Sequence, residues 1–524
     1  MRLYKFIYLF FTGIGITNFY GQSKISSDLV TISNIAFEKN PDIVRSGYTI
    51  QDAEGDFQIQ RSAFDINLFS ELSVKHNRYT LFDADTRNQY IDKFLKTNTL
   101  DFSAGVRKKL RTGQITDISL KYGFNNNNFP YDSFNQLVGP FWGNHLGSVN
   151  FSLTQPLLRG RGREVTTLSE RVSQLYIENT KSNNEFNNSY TILQIGKAYW
   201  NYYLAYRSLE IYKENESRVR NVMEVTRELI KADKKPAGDL AQVNADLSNQ
   251  EKLTALAEQN LYTARINLGR VIGLSNEESL QLDTPSNEFP AITESQYREG
   301  LDRNTLIKIA KEKRGDLKAV EKISDALEMQ YKLAENNTKP QLDLTGFVFY
   351  GSAIAGNGID KTFSSFTNNE GRNLGAGAKL TFTFPVNNNL AKGNYAKSLV
   401  ALNDQKISND NLQRNIELNI SNAINTLDNS VVVLEKAKEA LNSYKDAFNN
   451  EQVKLQAGLT TILNVILFQE RLTSSELEYL QAYQQFANAI INLRHETGTL
   501  ISQGDKGFTL NQNVFYTIPN ISNY

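Results

Sequence analysis

The chain has 524 residues, 40% of them apolar, so it holds material for several domains or one large core. Its 57 lysines and arginines balance 57 aspartates and glutamates, which leaves no net field to attract nucleic acid or an anionic surface. It has no cysteine, which excludes disulfide frameworks, thiolate metal sites, cysteine nucleophiles and lipid attachment through a cysteine; its three histidines, His76, His145 and His495, are widely separated.

The first stretch, "MRLYKFIYLFFTGIGITNFYGQ", has basic residues at Arg2 and Lys5, an apolar run from Phe6 to Ile16 and small residues before a cleavage point after Gly21. This pattern predicts a secretory signal over 1–21. The alternative is an uncleaved anchor, but the run falls short of the ~20 residues a spanning helix needs. No later segment is long and apolar enough to span a bilayer as a helix, so a membrane crossing would require a closed β-barrel.

Six stretches alternate with period two, which predicts strands with one apolar and one polar face. In the first, Ile66, Leu68, Leu72 and Val74 oppose Asn67, Glu71, Ser73 and Lys75. The next three carry Leu100, Phe102, Ala104 and Val106; Ile118, Leu120, Tyr122 and Phe124; and Val149, Phe151 and Leu153 on their apolar sides. The last two carry Leu342, Leu344, Val348 and Tyr350, then Leu374, Ala376, Ala378, Leu380, Phe382 and Phe384. A water-soluble sandwich would bury such faces against a second sheet. The aromatic and Asn/Gly-rich loops at 125–144 and 363–373, following an export signal, fit a membrane barrel better.

The remainder carries seven-residue repeats. Ile420, Leu427, Leu434, Leu441, Phe448 and Leu455 form one series, and Val465, Leu472, Tyr479, Phe486, Leu493 and Leu500 another; Leu240, Leu247, Thr254, Leu261 and Leu268 repeat the pattern in the first half. These are coiled-coil seams, and helices near 164–235 and 390–456 would each extend roughly 100 Å. A shift of 225 residues lays "ARINLGRVIG" (264–273) on "AIINLRHETG" (489–498), and "LTQPLLRGRG" corresponds to "TFTFPVNNNLAKG", proline to proline. Such a long period argues for duplication of a whole structural unit. The expected organisation is a first repeat over 22–275, with strands in 66–154 and helices 164–235 and 239–273, and a Pro-containing, loop-like linker over 276–300. A second repeat follows over 301–502, with strands in 341–385 and helices 390–456 and 459–500, and then a loop-like tail over 503–524. The first half has an additional strand pair, 100–124.

Pro156 and Pro385 fall where a strand leaves its ladder and the chain turns into a helix, a place that tolerates a residue without an N–H. After Pro156, "RGRGR" sets Arg159, Arg161 and Arg163 between glycines that allow the turn. The arginines would lie at the inner headgroup level; the alternative is solvated turn residues without a role, and a nucleic-acid grip fits neither the export signal nor the neutral charge.

The duplicated order of helix, strands and paired long helices, together with "LTQPLLRGRG", resembles the TolC family of outer-membrane efflux and secretion channels over roughly residues 40–500. The resemblance implies a mixed α and β membrane protein: a homotrimer whose strands jointly close one barrel in the outer membrane of a Gram-negative bacterium, and whose coiled helices form a periplasmic tunnel. It implies as partners an inner-membrane pump, a periplasmic adaptor (membrane fusion protein) and outer-membrane lipid, with no nucleic acid and no cofactor. In this family the helix tips carry the gate, with acidic side chains at its narrowest ring. By position, "AGDLAQV" (237–243) and "AGLTTILNVILFQE" (457–470) are the two tips, beginning near Gly238 and Gly458. Asp239 falls where the family has an acidic residue, whereas Asn464 and Leu467 fall where the efflux prototype has two aspartates. Asn464 lies 225 residues after Asp239, so the duplication supports their equivalence independently. Surface turn residues that contact only the adaptor are the alternative.

No metal-spaced histidines, nucleophile motif or phosphate loop suggests catalysis. The competing reading is a periplasmic coiled-coil adaptor or structural protein of an export complex, but adaptors typically have one hairpin rather than two, each preceded here by barrel-like strands.

Overall fold

A computed structural model describes residues 24–291, 301–369, 371–504 and 507–519. The expected signal segment and part of the expected inter-repeat linker lie outside these residues. In chain order the elements are β1 (Ile25–Ser27), α1 (Leu29–Lys39), α2 (Pro41–Arg61), β2 (Ile66–Thr80), β3 (Phe94–Lys109), β4 (Ile115–Asn127), β5 (Asn144–Pro156), α3 (Arg163–Thr166), α4 (Leu168–Lys231) and α5 (Gly238–Ile272). There follow α6 (Asn276–Leu280), β6 (Leu282–Pro285), α7 (Arg303–Lys313), α8 (Gly315–Asn337), β7 (Gln341–Ala355), α9 (Ile359–Thr367), β8 (Arg372–Thr383), α10 (Asn389–Gln456), α11 (Ile462–Glu496), β9 (Ser502–Gly504) and β10 (Gly507–Thr509).

The chain divides into two compact units. One comprises residues 48–183 and 316–413 and contains the large sheet; the other comprises 1–47, 184–315 and 414–524 and is mainly helical.

In the first unit, six strands pair in the order β2-β3-β4-β5-β7-β8, all antiparallel. Every stretch expected from alternation is one of these strands, and the pair at 100–124 lies inside the sheet as β3 and β4. The strands outrun the apolar alternation because the ladder continues through polar pairs such as His76 opposite Asn98 and Asn98 opposite Asn126. One end of the sheet receives the helix connections, and the other carries the connections 81–93, 128–143 and 356–371. Part of the Asn/Gly-rich stretch at 363–373 is helical, since α9 runs to Thr367.

In the second unit, long helices pack along their heptad seams. Val219, Val222, Val243, Leu247, Phe448, Leu455, Val465 and Leu472 form one buried cluster, so the seven-residue series are packing seams as expected. A second cluster joins Leu29, Ile32 and Ala36 of α1 to Ile192, Tyr199, Trp200, Leu268, Ile491 and Phe515. Two segments expected to be loops are partly ordered. Residues 276–285 form α6, started by a reciprocal Ser275–Glu278 capping box, and β6, which pairs in parallel with β1. The tail forms the β9–β10 hairpin and a short 3-10 turn, Gln512–Phe515. It is held by Arg494, whose Nη2 donates to Thr517 Oγ1 (2.8 Å) and to the Ile518 carbonyl (2.9 Å). The last helix begins at Ile462 rather than 459, because Thr461 caps it with a side chain that accepts from the Asn464 N–H.

Candidate channel surfaces

The sheet register aligns the apolar rows across all six strands. Leu72 stands opposite Phe102 and Phe102 opposite Tyr122; Ile118 stands opposite Phe151, Phe151 opposite Val348, and Val348 opposite Ala376. Each side chain projects from the same side, because a shared register keeps the period-two phase from strand to strand. The face is open: Leu68 is 79% exposed and Phe382 65%. Contiguous apolar area on this scale marks an interaction or membrane surface rather than ordinary solvent-facing surface.

The opposite face is polar. Glu71, Ser103, Lys121 and Ser148 lie in one cross-strand row, and Arg107 pairs with Asp117 at 2.8 Å. Three phenyl rings outside the expected apolar rows also lie here. Phe69, Phe347 and Phe349 stand directly opposite Gly105, Gly377 and Gly375. A Cβ on Gly105 would come within 2.7 Å of the Phe69 ring, and one on Gly377 within 2.6 Å of the Phe347 ring. Glycine lets each ring lie flat across the neighbouring strand instead of projecting away from the sheet. The signal for this in the sequence was each phenylalanine out of phase with the apolar alternation.

At the strand-to-helix joint, Pro156 is the last paired residue of β5, opposite Asp343. Leu157 and Arg159 then donate backbone N–H groups to the Leu342 and Pro340 carbonyls. Gly160 and Gly162 take φ of +75° and +87°, the left-handed conformations that make glycine the residue for this turn. The Gly160 N–H donates to Asn336 Oδ1 at 2.9 Å, and the Arg159 guanidinium bonds Gln341 Oε1. Arg161 and Arg163 are exposed. The second joint is built differently. Pro385 follows the end of β8 in an exposed link, and the positive φ (+48°) falls on Asn388, whose Nδ2 donates to the Thr338 carbonyl.

The β3–β4 turn docks on the first joint. Arg111 makes a two-pronged ion pair with Glu170 in the first turn of α4, and this hydrogen-bonded guanidinium, assisted by Arg61 and Arg163, holds the Glu170 carboxyl below its usual range.

In the helical unit the expected tips are turns. Gly238 is exposed at the start of α5. Asp239 sits in that helix's first turn, where a carboxylate also complements the helix dipole. Gly458 has φ +75° and ends α10. Asn464 and Leu467 are exposed on the first two turns of α11, Leu467 beside Leu463. Asn464 Nδ2 donates to Thr460 Oγ1 at 3.2 Å, and Thr460 Oγ1 donates to Glu451 Oε2 at 2.8 Å. Lys235, before the first tip, donates from Nζ to the Thr460 carbonyl of the second at 3.3 Å.

Farther along these helices lies a buried polar layer not expected from the sequence. Asn215 Nδ2 donates to Gln250 Oε1 and Gln469 Nε2 donates to Asn215 Oδ1, both at 2.8 Å and all three residues buried. Beside it Arg218 and Glu476 form an ion pair at 2.8 Å. The signal was present: Gln250 follows Leu247 by three and Gln469 precedes Leu472 by three, which puts each on its seam.

Among the described residues no helix is long and apolar enough to cross a membrane, and no cluster of His, Asp or Glu could hold a metal ion.

A sheet with one open apolar face and paired long helices on heptad seams are the two features expected of an outer-membrane channel. Residues 306–499 match the family model described as outer membrane efflux protein. A search of curated proteins finds no match. Among solved structures, the outer-membrane channel OprN superposes with a TM-score of 0.65 at 14% identity, over 90% of each chain. The Campylobacter jejuni CmeC outer membrane channel does so with 0.64 at 14%, over 95% of this chain and 94% of its own. The outer membrane protein VceC of Vibrio cholerae gives 0.63 at 11%, over 90% of this chain and 96% of its own. The resemblance to outer-membrane efflux channels is thus borne out in two ways: residues 306–499 match the family model, and the fold is that of these solved channels.

Proposed function

We propose that three copies of this chain close a single barrel in the outer membrane of a Gram-negative bacterium, continued by a helical periplasmic conduit. The conduit passively conducts substrates delivered by an inner-membrane pump through a periplasmic adaptor. The observation that carries this reading is the six-stranded sheet itself. Its apolar side chains share one open face, and among the described residues its outer strands β2 and β8 have no ladder partner on their outer edges. Long open edges invite aggregation unless they are paired or covered, and a closed ring removes them. Three such sheets give eighteen strands, three times six, within the range of even-numbered outer-membrane barrels. The apolar face then meets lipid and the polar face, with its flat phenyl rings, lines the bore.

The repetition along the chain and the equivalence of its two tips support a duplicated unit whose tip residues Asp239, Asn464 and Leu467 line the constriction. A ring of carboxylates beside a polar and an apolar ring would be less cation-selective than paired aspartate rings. The arginines after Pro156 suit the inner headgroup level. Purified protein should migrate as a heat-sensitive oligomer on gels and open pores in planar bilayers. A water-soluble monomer without pore activity would overturn the reading.

A further inference from the structure

Helix α9, in the connection between β7 and β8, does not extend away from the sheet but lies on its apolar face. Ser352 Oγ donates to the Ser365 carbonyl at 2.6 Å, and the Tyr122 hydroxyl lies 3.1 Å from Thr362 Oγ1 and 2.7 Å from His145 Nδ1. His145 Nε2 lies 3.0 Å from the Gly356 carbonyl. Tyr122, Gly147 and Ser352 are cross-strand neighbours in phase with Val149 and Val348, so the side they present is the apolar one. A Cβ on Gly147 would fall 2.6 Å from the Ser365 carbonyl: glycine there is what admits the helix. These contacts replace apolar residues with a patch of polar ones, and the helix covers them completely enough that Ser352, Ser365 and His145 are buried.

The side of α9 that the sheet does not cover is divided. Ile359 and Phe363, four residues apart and therefore on one flank, are 82% and 75% exposed. Asp360 and Ser364 lie one residue further round, on a polar flank. β5 and β7 beneath the helix are interior strands, each paired on both sides, so the neighbouring copy's edge strand does not reach it. The connection leaves the sheet at the end opposite the helix joints, which is the distal rim.

We propose that α9 is an interfacial helix: bound to the outer wall of the barrel at its distal rim, it inserts Ile359 and Phe363 into the boundary between headgroups and acyl chains of the outer leaflet. The proposal rests on the barrel reading, since continuity with the lipid-facing rows of the sheet identifies lipid as the occupant. An amphipathic helix with an apolar flank and a polar flank belongs at that depth, and aromatic residues anchor at the same level.

The absence of native cysteine makes the test direct. Single-cysteine variants Phe363→Cys and Ile359→Cys of the full chain carry a fluorescent label in phosphatidylcholine vesicles whose lipids bear a quencher either near the headgroup or deep in the chain. Phe151→Cys on the apolar face and Glu71→Cys on the polar face serve as references. Labels at 359 and 363 should lose about half their emission to the shallow quencher, less to the deep one, and be shielded from aqueous iodide. If 359 and 363 respond to iodide and not to lipid while 151 responds to lipid, α9 stands in water and the proposal falls. If 151 is also indifferent to lipid, the barrel reading itself falls, and the proposal with it.

Discussion

Arg111, at the turn between β3 and β4, holds Glu170, at the start of α4, through two parallel bonds, Nε to Oε2 at 2.9 Å and Nη2 to Oε1 at 2.6 Å. This clasp secures the hairpin that lengthens the sheet from within. Gly113 in the same turn has φ +95° and backs directly onto the Gly160 carbonyl. Because the Glu170 carboxyl titrates below its ordinary value of about 4.5 in the folded protein, its contribution to stability is present above that value. It is lost as the pH falls through the lowered one. Glu170→Gln should therefore lower the unfolding midpoint in detergent by about a degree or two at pH 7 and by less near pH 3. Melting curves at the two pH values check this; an equal shift at both would show that packing, not charge, is lost.

The phenyl rings over glycine make a prediction about the bore. In Gly377→Val, the new side chain meets the Phe347 ring, which must swing off the neighbouring strand and, in the proposed barrel, into the bore. Single-channel conductance should fall by roughly a third, with oligomer formation retained. Gly377→Val combined with Phe347→Ala should restore it. Loss of conductance that persists in the double variant would assign the defect to the strand itself.

At the helix tips, Asp239→Asn should reduce cation preference about twofold, and Leu467→Ser should raise conductance, if these side chains ring the constriction. Reversal potentials in asymmetric salt measure the first and current steps the second. Unchanged values for both variants would remove these positions from the gate.

The polar layer of Asn215, Gln250 and Gln469 gives a stability prediction. Gln469→Ala leaves Asn215 Oδ1 buried without its donor and should destabilise by about 1–3 kcal/mol. Replacing all three residues with leucine should recover stability while loosening helix register, because a buried polar layer selects one alignment of the seam. Denaturation midpoints report the first effect and cross-linking between engineered cysteines the second.

Much of this was legible in residue order. Each of the six strands was visible from one polar and one apolar side, and each long helix from its heptads, because both periods reflect a face that must be covered. The legibility ended where a residue's meaning depends on a partner distant in the chain. Phe347 reads as an exception to its strand until Gly377 is seen beside it. Arg111 reads as one basic residue among several until Glu170 is placed against it. Residues 363–367 read as loop because their helix is only nine residues long and draws its support from Gly147 and Ser352, more than two hundred and about ten positions away respectively. Capping by Thr461 starts α11 at Ile462, three residues after the expected 459.

The sequence by itself determined which surfaces this protein must hide, since alternation and heptads are intrinsic to the order of side chains. Only the tertiary structure decided that β3 and β4 lie between β2 and β5 in one sheet, which glycines receive a ring or a helix, and which polar residues complete one another. Those outcomes depend on register and close approach between distant segments, and no local pattern encodes them.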